Sequence, residues 1–545
     1  MKSAIDKFCK IRYTYIRNAF LSKYYSSGVQ LMKLNVKKTI LVGFAFFLIS
    51  AFWQAYDATI PVILTNKFGM SQTWSGVIMA LDNVLAVFML PIFGALSDKC
   101  RSRHGRRTPF ITIGTIIAAV AIVCLSFADS AQLKGLSDFS KIDDTASLEY
   151  IYDKQADSEL LTPDGEKFVL SEKYTKEEFS AIRSDCEVAE GEKNPYTNYV
   201  VPARQACAAE VTANDPVPMI LFIALLLAVL ISMATFRSPA VALMPDVTIK
   251  PLRSKANAII NLMGTAGGII VLVLGIVFAT SSVKNALMSY YVFYGVVAAI
   301  MLGALAIFLL CVREVKWAKE MQEESIRLGI EEADDEENGE KRRLSASEMK
   351  SLAFILLSVA LWFIGYNAVT SKYSVYAPNV LHMSYNTTLL MAQAAAIISY
   401  LPAGMIASKI GRKKTILAGI VMLATAFLVA AFMRAGSPVW LMNIMFCLAG
   451  VAWATINVNS FPMVVEMCSG GDVGKYTGFY YTASMTAQII TPVVSGFLMD
   501  NYGMTVLFPY AAAFVALAFV TMLMVRHGDN KVVAKKGLEA FDIDD

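Results

Sequence analysis

The chain has 545 residues, 56% hydrophobic and only 17% charged, with a formal net charge of +4. Soluble domains carry about 45–50% apolar and about 25% charged residues, so this composition excludes a disordered chain, a disulfide-stapled secreted module and a typical soluble enzyme. The small net charge and the lack of a basic recognition motif argue against nucleic acid as a partner, and three histidines with eight scattered cysteines argue against a metal centre.

In chain order, residues 1–37 form a basic segment. Lys2, Lys7, Lys10, Arg12, Arg17, Lys23, Lys33 and Lys37 stand there against one acid, Asp6. Met32 would also serve as an ordinary N-terminus, so the residues before it read either as an interfacial basic helix or as an over-extended start. No signal-peptide pattern precedes the first apolar run, and no cleaved leader is expected. A spanning helix needs about 20 mostly apolar residues. Six such windows follow, at about 38–65, 71–97, 109–128, 217–245, 256–280 and 287–312. Between the third and fourth lies the polar, acidic stretch 129–215, whose Cys186 and Cys207 fit either a disulfide or two free thiols. Residues 313–349 run through EEADDEENGEKRR and read as a solvated linker. Six further windows complete the set, at about 350–376, 387–409, 414–434, 438–461, 474–499 and 503–526, before a tail at 527–545.

Every second loop is basic. Lys99, Arg101, Arg103, Arg106 and Arg107 follow the second window, Lys250, Arg253 and Lys255 the fourth, and Lys409, Arg412, Lys413 and Lys414 the eighth. The positive-inside rule therefore predicts a multi-pass cell-membrane protein with both termini in the cytoplasm and 129–215 outside. The loop SDKCRSRHGRRTPFI (97–111) also has a counterpart six windows later, ASKIGRKKTIL (407–417). Parallel repeats about the membrane normal mark the major facilitator architecture. The expected fold is thus all-α, with twelve transmembrane helices in two six-helix halves, 38–312 and 350–526.

GALSDKCRSRHGRRTPFI (94–111), RSPAVALMPD (237–246) and RSKANAIINLMGTAGG (253–268) resemble the sucrose-transporter and solute-carrier-45 branch of the glycoside–pentoside–hexuronide symporters. The resemblance implies cation-coupled sugar or glycoside uptake by alternating access. One departure bears on the cation. Where melibiose-type sodium symporters carry two aspartates on the second helix, this chain has Ala86 and Leu90, and Arg237 stands where they carry a fourth-helix aspartate. The resemblance therefore implies a proton as coupling ion, with no other cofactor.

Charges at membrane depth cost about 2.5–3.5 kcal/mol on insertion scales and normally face a cavity or one another. Asp57, Asp82, Arg237 and Lys372 are the candidates for proton coupling, and depth along the helices pairs Arg237 with Asp82 at least as well as with Asp57. A sugar's hydroxyls want amide and hydroxyl partners, and its flatter face packs on aromatic rings. Trp53, Gln54, Tyr56, Asn367, Tyr373, Trp453, Asn457, Tyr481 and Gln488 are the candidate lining, with Tyr366, Asn459, Tyr480 and Ser484 in the same runs. Asn457 and Asn459 are two apart, so at most one faces a common cavity. Each aromatic taken singly also fits helix packing or an interfacial belt.

Asp98, Arg103, Gly105, Arg106 and Arg107 are expected to gate, pinning helix ends through charge-assisted hydrogen bonds. The expected function is proton-coupled symport of a disaccharide or related glycoside by a monomer in the bilayer, not enzymatic catalysis. Two alternatives keep the fold: a carrier of lipid or another amphiphile, and a transport-dead nutrient sensor signalling through 313–349.

Overall fold

Lipid offers no hydrogen bonds to a bare backbone, so long apolar runs close their N–H and C=O groups within helices. A computed structural model describes residues 34–186, 193–249, 252–327, 345–465, 467 and 473–527. The first spans are α1 (Val36–Asn66), α2 (Gln72–Lys99) and α3 (Thr108–Gly135). Side-chain oxygens of Asn35 and Ser71 cap α1 and α2 by accepting from the Lys38 and Trp74 amides.

An inserted unit follows. It holds α4 (Thr145–Gln155), an antiparallel hairpin of β1 (Glu159–Leu161) and β2 (Lys167–Val169) with Leu160 opposite Phe168, then α5 (Leu170–Lys173), α6 (Lys176–Ser180) and α7 (Val201–Asn214). The N-terminal half closes with α8 (Val217–Val247), α9 (Arg253–Val277) and α10 (Tyr291–Cys311), and α11 (Glu314–Arg327) comes next. The second half comprises α12 (Ala346–Tyr376), α13 (Tyr385–Ile410), α14 (Arg412–Ala431), α15 (Val439–Val465), α16 (Val473–Tyr502) and α17 (Leu507–Leu523). Among the described residues, eleven helices are long and apolar enough to cross a membrane. The remaining one, α13, has 26 residues and packs between α9 and α15 in the same bundle.

The pairing repeats. In the first half α1 packs on α9 and α10, α3 on α8 and α10, and α2 on α8. In the second, α12 packs on α16 and α17, α14 on α15 and α17, and α13 on α15. Each half has its own core. Helices in lipid gain little from the hydrophobic effect and rely on close approach at small residues. Gly267 of α9 lies against the Phe47 backbone and Gly450 of α15 against that of Ala392, where a Cβ would collide. The halves meet through α1–α12, α2–α16 and α9–α13.

Two expectations change. First, α3 continues to Gly135 rather than ending near 128, so the insert begins later than the polarity of the sequence suggests. Asp129, counted with the polar stretch, lies on this helix and pairs with buried Lys67 at 2.6 and 2.7 Å; Lys67 also donates to the Met288 carbonyl at 2.7 Å. Second, the start of 313–349 is not a loose linker but the helix α11, which packs on α8 and buries Glu314 and Trp317. The acidic run from 328 to 344, the basic residues up to Lys33, Lys250 and the tail from 528 lie outside the described residues.

The insert has a core of its own, including Phe139, Leu148, Phe179 and Tyr196. It bridges both halves. Gln205 donates to Asn66 Oδ1 at 2.8 Å and Gln132 of α3 to Thr212 at 2.9 Å, while on the other side the Met504 amide donates to the Pro163 carbonyl at 2.7 Å. Cys186 and Cys207 are free thiols, and burial pushes the Cys207 thiol up to about 12.

Candidate functional site

Between the halves lies a cavity of about 210 Å³ whose walls come from five helices. Helical spacing explains its composition, because residues three and four apart share a face. α1 contributes Trp53 and Asp57; α2 contributes Met79, Asp82 and Asn83; α8 contributes Arg237; α12 contributes Asn367, Thr370 and Ser371; α16 contributes Gln488 and Pro492. Pro492 has no N–H, which leaves the Gln488 carbonyl without its helical partner.

The cavity is polar and charged. Asp82 accepts from the Asn83 amide at 2.7 Å. The Arg237 guanidinium lies 5.7 Å from the Trp53 ring centre, a cation–π arrangement worth about 0.5–2 kcal/mol. Arg237 also acts electrostatically on Asp82, and Asp82 on Asp57. Among the described residues Arg237 makes no ion pair within 4 Å, so this attraction acts across the open cavity rather than through a closed bridge. With both carboxylates ionised, they and the guanidinium would carry a single net negative charge.

Six of the residues singled out in the sequence thus come together: Trp53, Asp57, Asp82, Arg237, Asn367 and Gln488. The others lie elsewhere. Lys372, expected with the coupling charges, is fully buried outside the cavity wall and donates to the Gln72 carbonyl at 2.6 Å. Tyr373 is buried in the second core, with its hydroxyl 2.8 Å from Thr388. Gln54 accepts from Gln393 of the other half at 2.6 Å, and Tyr56 is buried beside Trp53. Trp453 stacks on Tyr366 with ring centres 3.6 Å apart. Tyr481 packs on Phe461 and Tyr480, and Ser484 donates to the Tyr481 carbonyl. Neither Asn457 nor Asn459 of α15 lines this cavity: Asn457 is half-buried, and Asn459 is buried and donates to the Thr455 carbonyl.

Met79, Asn83, Thr370 and Ser371 are cavity residues that the sequence reading missed. A signal was present. Thr370 and Ser371 sit three and four residues after Asn367, and Asn83 four after Met79 on the helix of Asp82.

At the end of the bundle opposite the insert, the expected gating residues form a charged knot. Arg107 pairs with Asp98 and with Asp246 at the end of α8, the latter at 2.8 Å, and Arg106 also reaches Asp246. The Asp246 hydrogen bond raises the Arg106 guanidinium still further above its ordinary value. Glu314 was not anticipated. Its carboxylate accepts from the backbone amides of Arg106, Arg107 and Thr108 at 2.7, 2.9 and 2.8 Å, capping the N-terminus of α3. Gly105 has φ +115°, and a Cβ there would collide with Glu314. Arg103 stands exposed outside the knot.

Residues 203–399 and 387–542 match the profile of the Major Facilitator Superfamily, and residues 41–132 that of MFS/sugar transport proteins. Sucrose transport protein SUC3 of Arabidopsis thaliana is 35% identical over 111 residues, 20% of this chain and 18% of that protein. The putative glycoside/cation symporter YagG of Escherichia coli (strain K12) is 30% identical over 103 residues, 19% of this chain and 22% of that protein. The chain spans only 15% to 32% of the length of the curated relatives it matches first. The inward-open xylose transporter XylE from E. coli aligns with a TM-score of 0.54 at 15% identity, covering 93% of this chain and 99% of that one. A bacterial homologue of ferroportin in its inward-facing state aligns at 0.57 and 12% identity, covering 90% and 99%. Profile matches over more than half of the chain, on a bundle of two repeated six-helix halves, make this protein a member of the Major Facilitator Superfamily.

Proposed function

We propose that the protein is a secondary active transporter that carries a sugar, a disaccharide or related glycoside, together with a proton by alternating access. One observation carries the reading: a single inter-half cavity holds two carboxylates and a guanidinium beside amides, hydroxyls and an indole face. Asn83, Asn367, Thr370, Ser371 and Gln488 offer both donors and acceptors to sugar hydroxyls, and Trp53 offers a ring for the apolar sugar face. A proton taken up by Asp57 or Asp82 cancels the cavity's net charge. Dehydrating a carboxylate favours its protonated form, whereas water or a nearby cation favours the ionised form. Closing and opening the cavity therefore moves a proton on and off. The names of two relatives, a sucrose transport protein and a glycoside/cation symporter, support the cargo class.

Under the positive-inside rule the insert would lie outside and the Gly105 knot in the cytoplasm. On that orientation the halves are packed together on the outer side: Gly76 of α2 lies against the Pro492 backbone near the insert. The test is accumulation in proteoliposomes. An imposed pH gradient should drive disaccharide uptake, and a sodium gradient alone should not. Strong accumulation from sodium alone would reject proton coupling, and uptake of an amphiphile in place of any sugar would reject the cargo.

A further inference from the structure

Gln72 opens α2, a helix of the N-terminal half, yet the first turn of that helix is gripped from the C-terminal half. The Asp500 carboxylate, near the end of α16, accepts from the backbone amides of Gln72 and Thr73, each at 2.7 Å, and from the Thr73 hydroxyl. The Lys372 ammonium, on α12, donates to the Gln72 carbonyl at 2.6 Å. One peptide segment is therefore held by an anion at its N–H groups and by a cation at its C=O. A helix N-terminus carries partial positive charge, so a carboxylate is favoured there, and charge-assisted hydrogen bonds are roughly twice as strong as neutral ones.

The internal repeat supplies a control. The corresponding contact between α9 and α13 uses neutral groups: Thr280 with Tyr385 at 2.9 Å, Ser281 with Ser384 at 2.8 Å and Asn386 with Thr280 at 3.0 Å. Charge is concentrated on one of two equivalent closures. That closure is also tight, because Gly496 lets α16 approach the Gln72 backbone. The same helices carry the cavity wall, with Ser371 next to Lys372 in sequence and Pro492 two turns before Asp500.

We propose that Lys372 and Asp500 form a charged gate that shuts the cavity on the insert side, and that opening this side requires both to release the first turn of α2. The proposal rests on the transport reading. The two are positioning residues: they touch no cargo and act through α2. This gives Lys372 a place in the cycle other than carrying the coupled proton.

The test measures separation of the halves at the insert face. Val217 and Phe432 are exposed on opposite halves at that end. Spin labels on cysteines at these positions, in full-length protein with the native cysteines replaced, report the distance between halves without any cargo. The parent should show mainly one short distance. Asp500→Asn and Lys372→Met should each raise a longer-distance population at least about five-fold. Asp500→Glu, which keeps the charge, should stay mainly closed. Thr73→Val removes only the hydroxyl bond and should give an intermediate shift, which carries the test if Asp500→Asn does not fold. Unchanged distances in folded Asp500→Asn and Lys372→Met, or in folded Thr73→Val, would overturn the gate. Failure of the parent to transport any sugar would reject the transport reading and leave these distances meaningful, so the two failures are distinguishable.

Discussion

Asp57, Asp82 and Arg237 come from three helices and share one cavity without a closed ion pair. If the carboxylates cycle a proton, neutralising one should separate two activities. Asp57→Asn or Asp82→Asn should abolish uphill sugar accumulation yet preserve sugar exchange, because exchange needs no net proton movement. Arg237→Ala should harm both, by removing the counter-charge and a donor from the cavity. Full accumulation in an Asp82→Asn, Arg237→Ala double variant would leave the charges a packing role only. These three residues were legible in the sequence for a simple reason: charge inside an apolar run is costly and seldom idle. Lys372 satisfied the same rule but sits elsewhere. Neighbouring residues on a helix point about 100° apart, so one step from Ser371 turns the side chain from the cavity to Gln72.

At the scale of elements, α11 and the insert carry functions that composition did not announce. The Glu314 carboxylate satisfies three amides at the start of α3 that no intrahelical carbonyl can reach. Glu314→Ala should leave them unpaired at a cost of about 1–3 kcal/mol, read as a lower melting temperature, with Glu314→Gln less harmful because it keeps an acceptor. A melting temperature unchanged by Glu314→Ala would remove this cap from the account. The insert meets the second half at His382, whose Nε2 is 2.8 Å from the Thr197 hydroxyl. Asp164, Glu166, Lys193 and Arg434 line the same interface. Burial holds His382 below its ordinary value of 6.5, so the docked state favours the neutral ring. Below that ordinary value the undocked imidazole binds more protons than the docked one, so this stabilisation is complete above it and is lost as pH falls toward the depressed value. Protection factors in Tyr196–Val200, taken relative to the intrinsic exchange rate at each pH, should therefore fall on mild acidification, and His382→Gln should flatten that dependence. Protection factors unchanged across that range would sink it.

For the whole molecule, the two halves have separate cores and meet through three helix pairs. A cargo that binds between them and not to the unfolded chain should stabilise the fold. At 100 times its dissociation constant the gain is about 2.7 kcal/mol. Screening mono- and disaccharides by thermal unfolding should therefore single out a cargo, and Gln488→Ala together with Asn367→Ala should erase its shift. A shift that survives both substitutions would place the binding site outside this cavity.

The sequence alone determined the class, the positions of the spans, the two repeated halves and the basic loops. Each of these is a local property, since lipid forces an apolar run of sufficient length into a helix whatever its neighbours do. Rotation of each helix about its axis is not local. It decides which polar residues face the common cavity, and packing against other helices sets it. Lys372 meets Gln72 across 300 residues of chain and Glu314 meets Thr108 across 206. No spacing rule spans such distances, so the grip of Lys372 and Asp500 on the first turn of α2, the cap on α3 and the bridging of both halves by the insert were settled only when the helices packed.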